Sequence, residues 1–109
     1  MTKSLKEQIN YFYDKDHNDF KDSQEWKEIF QQLMQGLNTG EIRSAEPDGQ
    51  VWKVNEWVKK GIIIGFRTGE LTDMSSDRFP YYDKSTYPLK NIPLKDNVRI
   101  VPGGTSIRQ

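Results

Sequence analysis

The chain has 109 residues, with 16 basic and 16 acidic side chains and a formal net charge of zero. That balance argues against an electrostatic nucleic-acid binder, which needs a basic patch, and against a polybasic membrane anchor. There is no cysteine, which excludes disulfides, thiolate metal sites and a cysteine nucleophile. Only 34% of the residues are hydrophobic, so a small core is expected beside solvated or partner-facing chain.

The N-terminus leads into no apolar signal segment. The longest apolar run, around Ile62–Ile64, is far too short to span a bilayer. A cytoplasmic setting is expected. The first helix is signalled by Ser4 and Glu7, whose spacing lets each cap the other's backbone N–H. Leu5, Ile9, Phe12 and Tyr13 then share one face. The helix should fade near Asp14, and a polar joint is expected from His17 to Lys21. A second cap lies in Asp22–Glu25. Trp26, Ile29, Phe30, Leu33, Met34 and Leu37 follow as a long amphipathic stripe. Gly36 inside it costs about 1 kcal/mol relative to alanine, and Gly40 suits the left-handed position that ends a helix.

Pro47, Asp48 and Gly49 have the chemistry of a turn. The short extended pieces on either side predict a small hairpin that leans on the helices. Asn55 offers a cap for a third helix, with Val54, Trp57, Val58, Gly61, Ile62, Gly65 and Phe66 on its stripe and Ile63 and Ile64 off it. A buried strand through Ile62–Ile64 is the rival reading. In a helix, Gly61 and Gly65 would let another backbone come close. After Gly69 the periodicity stops. Pro80, Pro88 and Pro93 and the tyrosines Tyr81, Tyr82 and Tyr87 predict an irregular connector, with a short strand at Val98–Val101. The expected class is therefore mainly α: a three-helix domain with a hairpin over residues 1–69, and an extended connector over 70–109.

Few side chains suggest chemistry. His17 is the one histidine and reads as a surface residue. Asp14, Asp16, Asp19 and Asp22 lack the glycine and terminal glutamate of a calcium loop. Gly61 to Gly65 is not followed by the Gly-Lys-Ser/Thr of a phosphate loop. Trp26 and Trp57 lie on apolar stripes and read as core, not as stacking platforms. Lys59, Lys60 and Arg67 read as the soluble side of the third helix. Arg99 could grip a carboxylate with two parallel hydrogen bonds, or it could be the polar member of an alternating strand.

Taken together, spaced groups of residues resemble a known family. They are Leu37, Gly40, Arg43, Ala45 and Glu46; Trp52, then Trp57 to Lys60; and Ile62 to Arg67, which closes on Phe66-Arg67. Tyr82-Asp83-Lys84, Arg99-Ile100-Val101-Pro102 and Ile107-Arg108 continue the pattern. They resemble the N-terminal domain of tetrahydrodipicolinate N-succinyltransferases, densely over Leu37–Arg67 and Val98–Gln109. The chain departs from the family after Lys84, where it has Ser85, Thr86, Tyr87 and Pro88 in place of Val-Pro.

The resemblance implies a small helical unit, and so a helix over Asn55–Phe66. It implies a cytoplasmic homotrimer that moves succinyl from succinyl-CoA, as co-substrate, to tetrahydrodipicolinate in lysine and diaminopimelate synthesis. The family's catalytic domain is a left-handed β-helix, whose CoA groove and catalytic carboxylate would lie outside this chain. No catalytic, cofactor-binding or metal-binding residue is therefore expected here, and the segment alone is expected to be inactive. Arg99 is the one position that matches a family substrate contact, to a carboxylate of the dicarboxylate. Two other readings compete. One is a freestanding protein-interaction module. The other is a nucleic-acid binder using the tryptophans, which the neutral charge disfavours.

Overall fold

The computed structural model describes residues 3–76, 78–102 and 106–109. The chain divides into two compact units, Met1–Gly69 and Glu70–Gln109. The first is mainly α. Helix α1 spans Leu5–Tyr13 and α2 spans Gln24–Thr39, with a 3-10 turn at His17–Asp19 between them. The side chain of Ser4 accepts from the Glu7 N–H, and that of Ser23 from the Trp26 N–H, each at 3.2 Å. Each serine satisfies a backbone donor that the first helical turn leaves without a partner. Gly40 ends α2 at φ 83°, in the left-handed region that suits glycine.

Helix α3 spans Glu56–Thr68, so the strand reading of Ile62–Ile64 falls. Its cap is not the expected one, because the Asn55 side chain makes no capping bond. Its Nδ2 donates instead to the Arg43 carbonyl at 2.7 Å. The buried face also differs from the expected stripe. Val58, Gly61, Ile64 and Gly65 are buried, while Phe66 is 38% exposed. The reason lies at Gly61. A Cβ built there would stand 2.5 Å from Leu33 Cδ2 and 3.2 Å from Ile9 Cδ1. The helix thus packs by its flattest side, which turns Ile64 inward and Phe66 outward. What comes close at Gly61 is side chain, not the backbone expected from the glycine spacing.

The core consists of Ile9, Phe12, Phe20, Trp26, Ile29, Leu33, Val58 and Ile64. Three rings form its aromatic end. Phe12 and Phe20 lie 4.7 Å apart, Phe20 and Trp26 5.6 Å, and Phe12 and Trp26 5.7 Å, all tilted or edge-on. Those are the geometries that the ring quadrupole favours. Trp26 Nε1 donates to Thr68 Oγ1 at 3.3 Å, and that hydroxyl donates to the Ile64 carbonyl at 2.9 Å. The buried indole donor is thereby satisfied. Phe20 corrects the reading of 17–21 as a polar joint, since the 3-10 turn delivers its ring to the core.

Strands β1 (Ala45–Asp48) and β2 (Val51–Val54) pair antiparallel about a turn with Gly49 at φ 65°. The hairpin was expected to lean on the helices, but its side chains project into solvent. Val51, Trp52 and Val54 are 65%, 71% and 67% exposed. It is held at its base instead, where the Asn55 N–H donates to the Ser44 carbonyl at 2.8 Å.

The second unit is less irregular than its prolines suggested. Strands β3 (Leu71–Asp73) and β4 (Tyr82–Lys84) form a second hairpin. It continues through Met74 N–H to the Tyr81 carbonyl at 2.8 Å and a bridge between Ser76 and Phe79. The strand expected at Val98–Val101 is absent, because no described residue pairs with it. The antiparallel contact forms elsewhere, between Leu89 and Arg108.

Adding a methyl at Gly61 would force it against two side chains that are each 0% exposed. Gly-to-Ala usually helps a helix by about 1 kcal/mol, yet overpacking a filled core costs about 1–3 kcal/mol. Gly61→Ala is therefore expected to lower stability in urea denaturation, and a gain would show that Leu33 and Ile9 can make room.

Candidate functional site

Arg99 lies in a stretch without regular secondary structure and is solvent-exposed. The residues before it form a 3-10 turn, Leu94–Asp96, and Asn97 reverses the chain at φ 56°. An exposed guanidinium keeps its full fork of donors available to an incoming carboxylate. The second reading of Arg99, as the polar member of an alternating strand, loses its strand.

Elsewhere in the second unit several polar contacts form. Arg108 Nη1 meets Asp83 Oδ2 at 3.1 Å, with the two side chains 44% and 40% exposed. The Arg108 guanidinium also lies 6.0 Å from the centroid of the Tyr87 ring. Tyr87 is the only buried hydrophobic residue among the described residues of this unit, at 5% exposure. Burial pushes its phenol from 10.0 up to about 12, partly opposed by the positive charge of Arg108. Asp73 titrates below the usual carboxylate range because the Ser75 hydroxyl and backbone N–H stabilise its charged form.

The other candidates separate clearly. Trp26 is core, and Trp57 packs partly buried against it, which leaves the exposed Trp52 able to meet another molecule. Two of the hairpin's exposed apolar residues share a face, because Ala45 pairs with Val54 and Pro47 with Trp52, while Val51, opposite Asp48, lies on the other face. His17 is partly exposed and has Asp16 at 3.9 Å. No cluster of three or more His, Asp or Glu that could hold a metal occurs among the described residues. Lys60 and Arg67 do more than solubilise α3, since both lie over the Tyr13 ring, at 5.2 and 5.1 Å. A cleft of about 270 Å³ lies between Lys6, Asn10, Lys53, Asn55, Glu56 and Lys60. The buried Asn10 Oδ1 has no hydrogen-bond partner among the described residues. Nothing in the local sequence pattern pointed to this cleft, whose lining comes from three separate elements. No described helix is long and apolar enough to cross a membrane.

The fold defines a small mainly α domain joined to a second, turn-rich unit. Residues 4–68 match the model of a family described as tetrahydrodipicolinate N-succinyltransferase N-terminal. The chain is 38% identical over 82 residues to the 2,3,4,5-tetrahydropyridine-2,6-dicarboxylate N-succinyltransferase of Xylella fastidiosa, covering 70% of this chain and 29% of that protein. It is 40% identical over 82 residues to the enzyme of the same name from Rickettsia typhi, covering 71% and 30%. A third relative of that name, from Pelagibacter ubique, is 43% identical over 54 residues, covering 50% and 20%. The chain belongs to this succinyltransferase family by its N-terminal domain. It spans less than a third of the length of the curated relatives it matches. Matches that cover 70% of the chain extend past Gly69, so the likeness reaches into the second unit.

The raised Tyr87 value sets a pH dependence. Below pH 10 the phenol is neutral whether the unit is folded or unfolded, and its contribution to stability is fully present. As pH rises from 10 to about 12 the unfolded state ionises first, so that contribution is lost. A difference titration of phenolate absorbance between wild type and Tyr87→Phe should show a midpoint at about 12. A midpoint at 10 would show that Tyr87 is solvated.

Proposed function

We propose that this chain is the N-terminal domain of an enzyme that transfers succinyl from succinyl-CoA to tetrahydrodipicolinate in lysine and diaminopimelate biosynthesis. The observation that carries this reading is the match of residues 4–68 to the family's N-terminal model, joined to relatives that bear that enzyme's name. In this reading the parent enzyme is a cytoplasmic homotrimer, and the segment alone does not turn over substrate.

The chemistry asks for two things. Water must add across the C=N bond of the cyclic substrate to give an N–H nitrogen, which attacks the thioester carbonyl while the CoA thiolate leaves and a base removes the nitrogen's proton. The two reactants must also be held in line, which is a large part of the rate of any acyl transfer. This chain contributes to the second. Arg99 binds one carboxylate of the dicarboxylate through its guanidinium, and its exposure and proximity to a turn support that role. The base, the CoA groove and the catalytic carboxylate belong to the rest of the parent enzyme.

A freestanding interaction module is the second reading, favoured by the exposed face of Ala45, Pro47, Trp52 and Val54. One experiment separates the two. Residues 1–109 replace the corresponding N-terminal segment of the Rickettsia typhi relative, and succinyl transfer is assayed. The chimera is expected to turn over, and residues 1–109 alone are not. Arg99→Ala in the chimera should raise KM for the dicarboxylate by about tenfold to a hundredfold, the loss of one charged hydrogen-bonded contact, with KM for succinyl-CoA unchanged. Turnover by the short chain would overturn its assigned inactivity. An inactive chimera would favour the module, and an unchanged dicarboxylate KM would remove Arg99 from the site.

A further inference from the structure

The cleft of the first unit is built by the same packing that seats α3. Ile9 of α1 meets α3 at Gly61. Beside that contact, Lys6 and Asn10 of α1 line about 270 Å³ of space together with Glu56, Trp57 and Lys60 of α3. Lys53, near the end of β2, joins them. The step from β2 into α3 is fixed by Asn55, whose backbone N–H donates to the Ser44 carbonyl at 2.8 Å and whose Nδ2 donates to the Arg43 carbonyl at 2.7 Å. Three elements that are each held by other contacts thus bring their charged groups to one place.

The lining offers donors and positive charge that nothing nearby uses. Lys6, Lys53 and Lys60 have no acidic partner within ion-pair distance among the described residues. Their three ammonium groups against the one carboxylate of Glu56 leave two positive charges in the lining. Lys60 is also held over the Tyr13 ring at 5.2 Å, which limits where its stem can go. The Asn55 side chain does not cap α3, and the N–H groups of Glu56 and Trp57 have no acceptor among the described residues. Asn10 makes no side-chain hydrogen bond among them either, and its Oδ1 is buried without a partner. The amide can therefore be re-aimed without losing a bond. A cleft with free donors and surplus positive charge suits an oxyanion. No arginine is among its lining residues, so the planar fork that matches a carboxylate is missing. Ammonium groups act as compact point charges of the kind that bind phosphate. The first turn of a helix adds backbone N–H groups and the positive end of its dipole.

We propose that this cleft binds a phosphate group, either inorganic phosphate or the end of a phosphate monoester. Lys6, Lys53 and Lys60 neutralise it, the Asn10 amide and the first turn of α3 donate to it, and the Glu56 carboxylate limits its affinity.

The test is an NMR titration of the 109-residue chain with inorganic phosphate, with chloride holding the ionic strength constant. The amides of Glu56 and Trp57 and the side-chain amide of Asn10 should shift to saturation, and the Leu33 amide should not move. Lys6→Gln and Lys53→Gln should each raise Kd by about threefold, the order of one exposed charged contact. Glu56→Gln should lower it. Lys59→Gln removes the same charge from an exposed position of α3 outside the cleft, and should leave Kd nearly unchanged. All four substitutions keep a helix- or strand-compatible polar side chain, and the unperturbed Leu33 amide reports that the fold is intact. Shifts that never saturate would overturn the site. So would an equal weakening by Lys59→Gln and Lys53→Gln, which would mean diffuse attraction to a basic surface. Tighter binding of succinate than of phosphate would overturn the choice of phosphate over carboxylate. Glycerol 3-phosphate separates the two sources: binding tighter than inorganic phosphate supports a monoester, and weaker binding supports the free ion.

Discussion

The first unit depends on one close approach. Helix α3 lays Gly61 against Leu33 of α2 and Ile9 of α1, and no residue with a side chain fits that position without displacing one of them. The absence of a Cβ lets three short helices share a single layer of buried side chains. Leu33, Ile9 and Val58, all 0% exposed, mark that layer. A unit of this size buries little surface in total, so its stability rests on how fully a few side chains are enclosed. Once α3 is seated by Gly61, its rotation is set. Thr68 then stands where the indole of Trp26 needs an acceptor, and the aromatic end of the core closes with Phe20 and Phe12 around Trp26. The 3-10 turn at His17–Asp19 is long enough only to bring Phe20 to that position.

Much of this was legible in the sequence where the cause is local. Ser4 and Gly40 mark helix ends by chemistry that acts within one turn, and both do so in the structure. The cap of α2 falls on Ser23, inside the segment that was singled out. The stripe from Trp26 to Leu37 was readable because a long helix repeats its signal. What escaped has non-local causes. The buried face of α3 depends on which side the neighbours can approach, and two glycines outweigh the larger Phe66. Phe20 sits in a polar run, and its burial depends on rings from two other elements. Asn55 looked like a cap and instead spends its amide on the Arg43 carbonyl, twelve residues earlier in the chain. Strands of three residues, such as Leu71–Asp73, are too short to show alternation.

The two units use different means of order. The first has a shared apolar core. The second has one buried hydrophobic residue among its described residues, Tyr87, and holds its path by turns, a short hairpin and charged contacts. Segments with few buried apolar contacts sit at the low end of local stability. In such a segment a single polar contact decides a larger share of the conformational freedom than it would in a core. Exposed ion pairs contribute little to the stability of a well-packed domain. The Asp83–Arg108 pair is an exposed contact of this kind, joining Arg108 to β4 in a unit with little buried apolar surface among its described residues.

Arg99 is a candidate carboxylate contact by its residue type and its place in the pattern, while its setting was not legible in the sequence. Its residue type and its neighbours carried the signal, and a guanidinium needs no special environment to remain charged. The expected strand around it would have fixed its direction by ladder bonds. Without a partner strand that source of order is missing, and an exposed arginine side chain loses conformational freedom when it grips a ligand. Restricting the backbone beneath it lowers that loss before the ligand arrives. A carboxylate contact made by a long side chain on an unpaired stretch is thus only as directional as the closure of that stretch. In this chain the described contacts that bear on that closure include the bridge between Leu89 and Arg108 and the ion pair of Arg108 with Asp83.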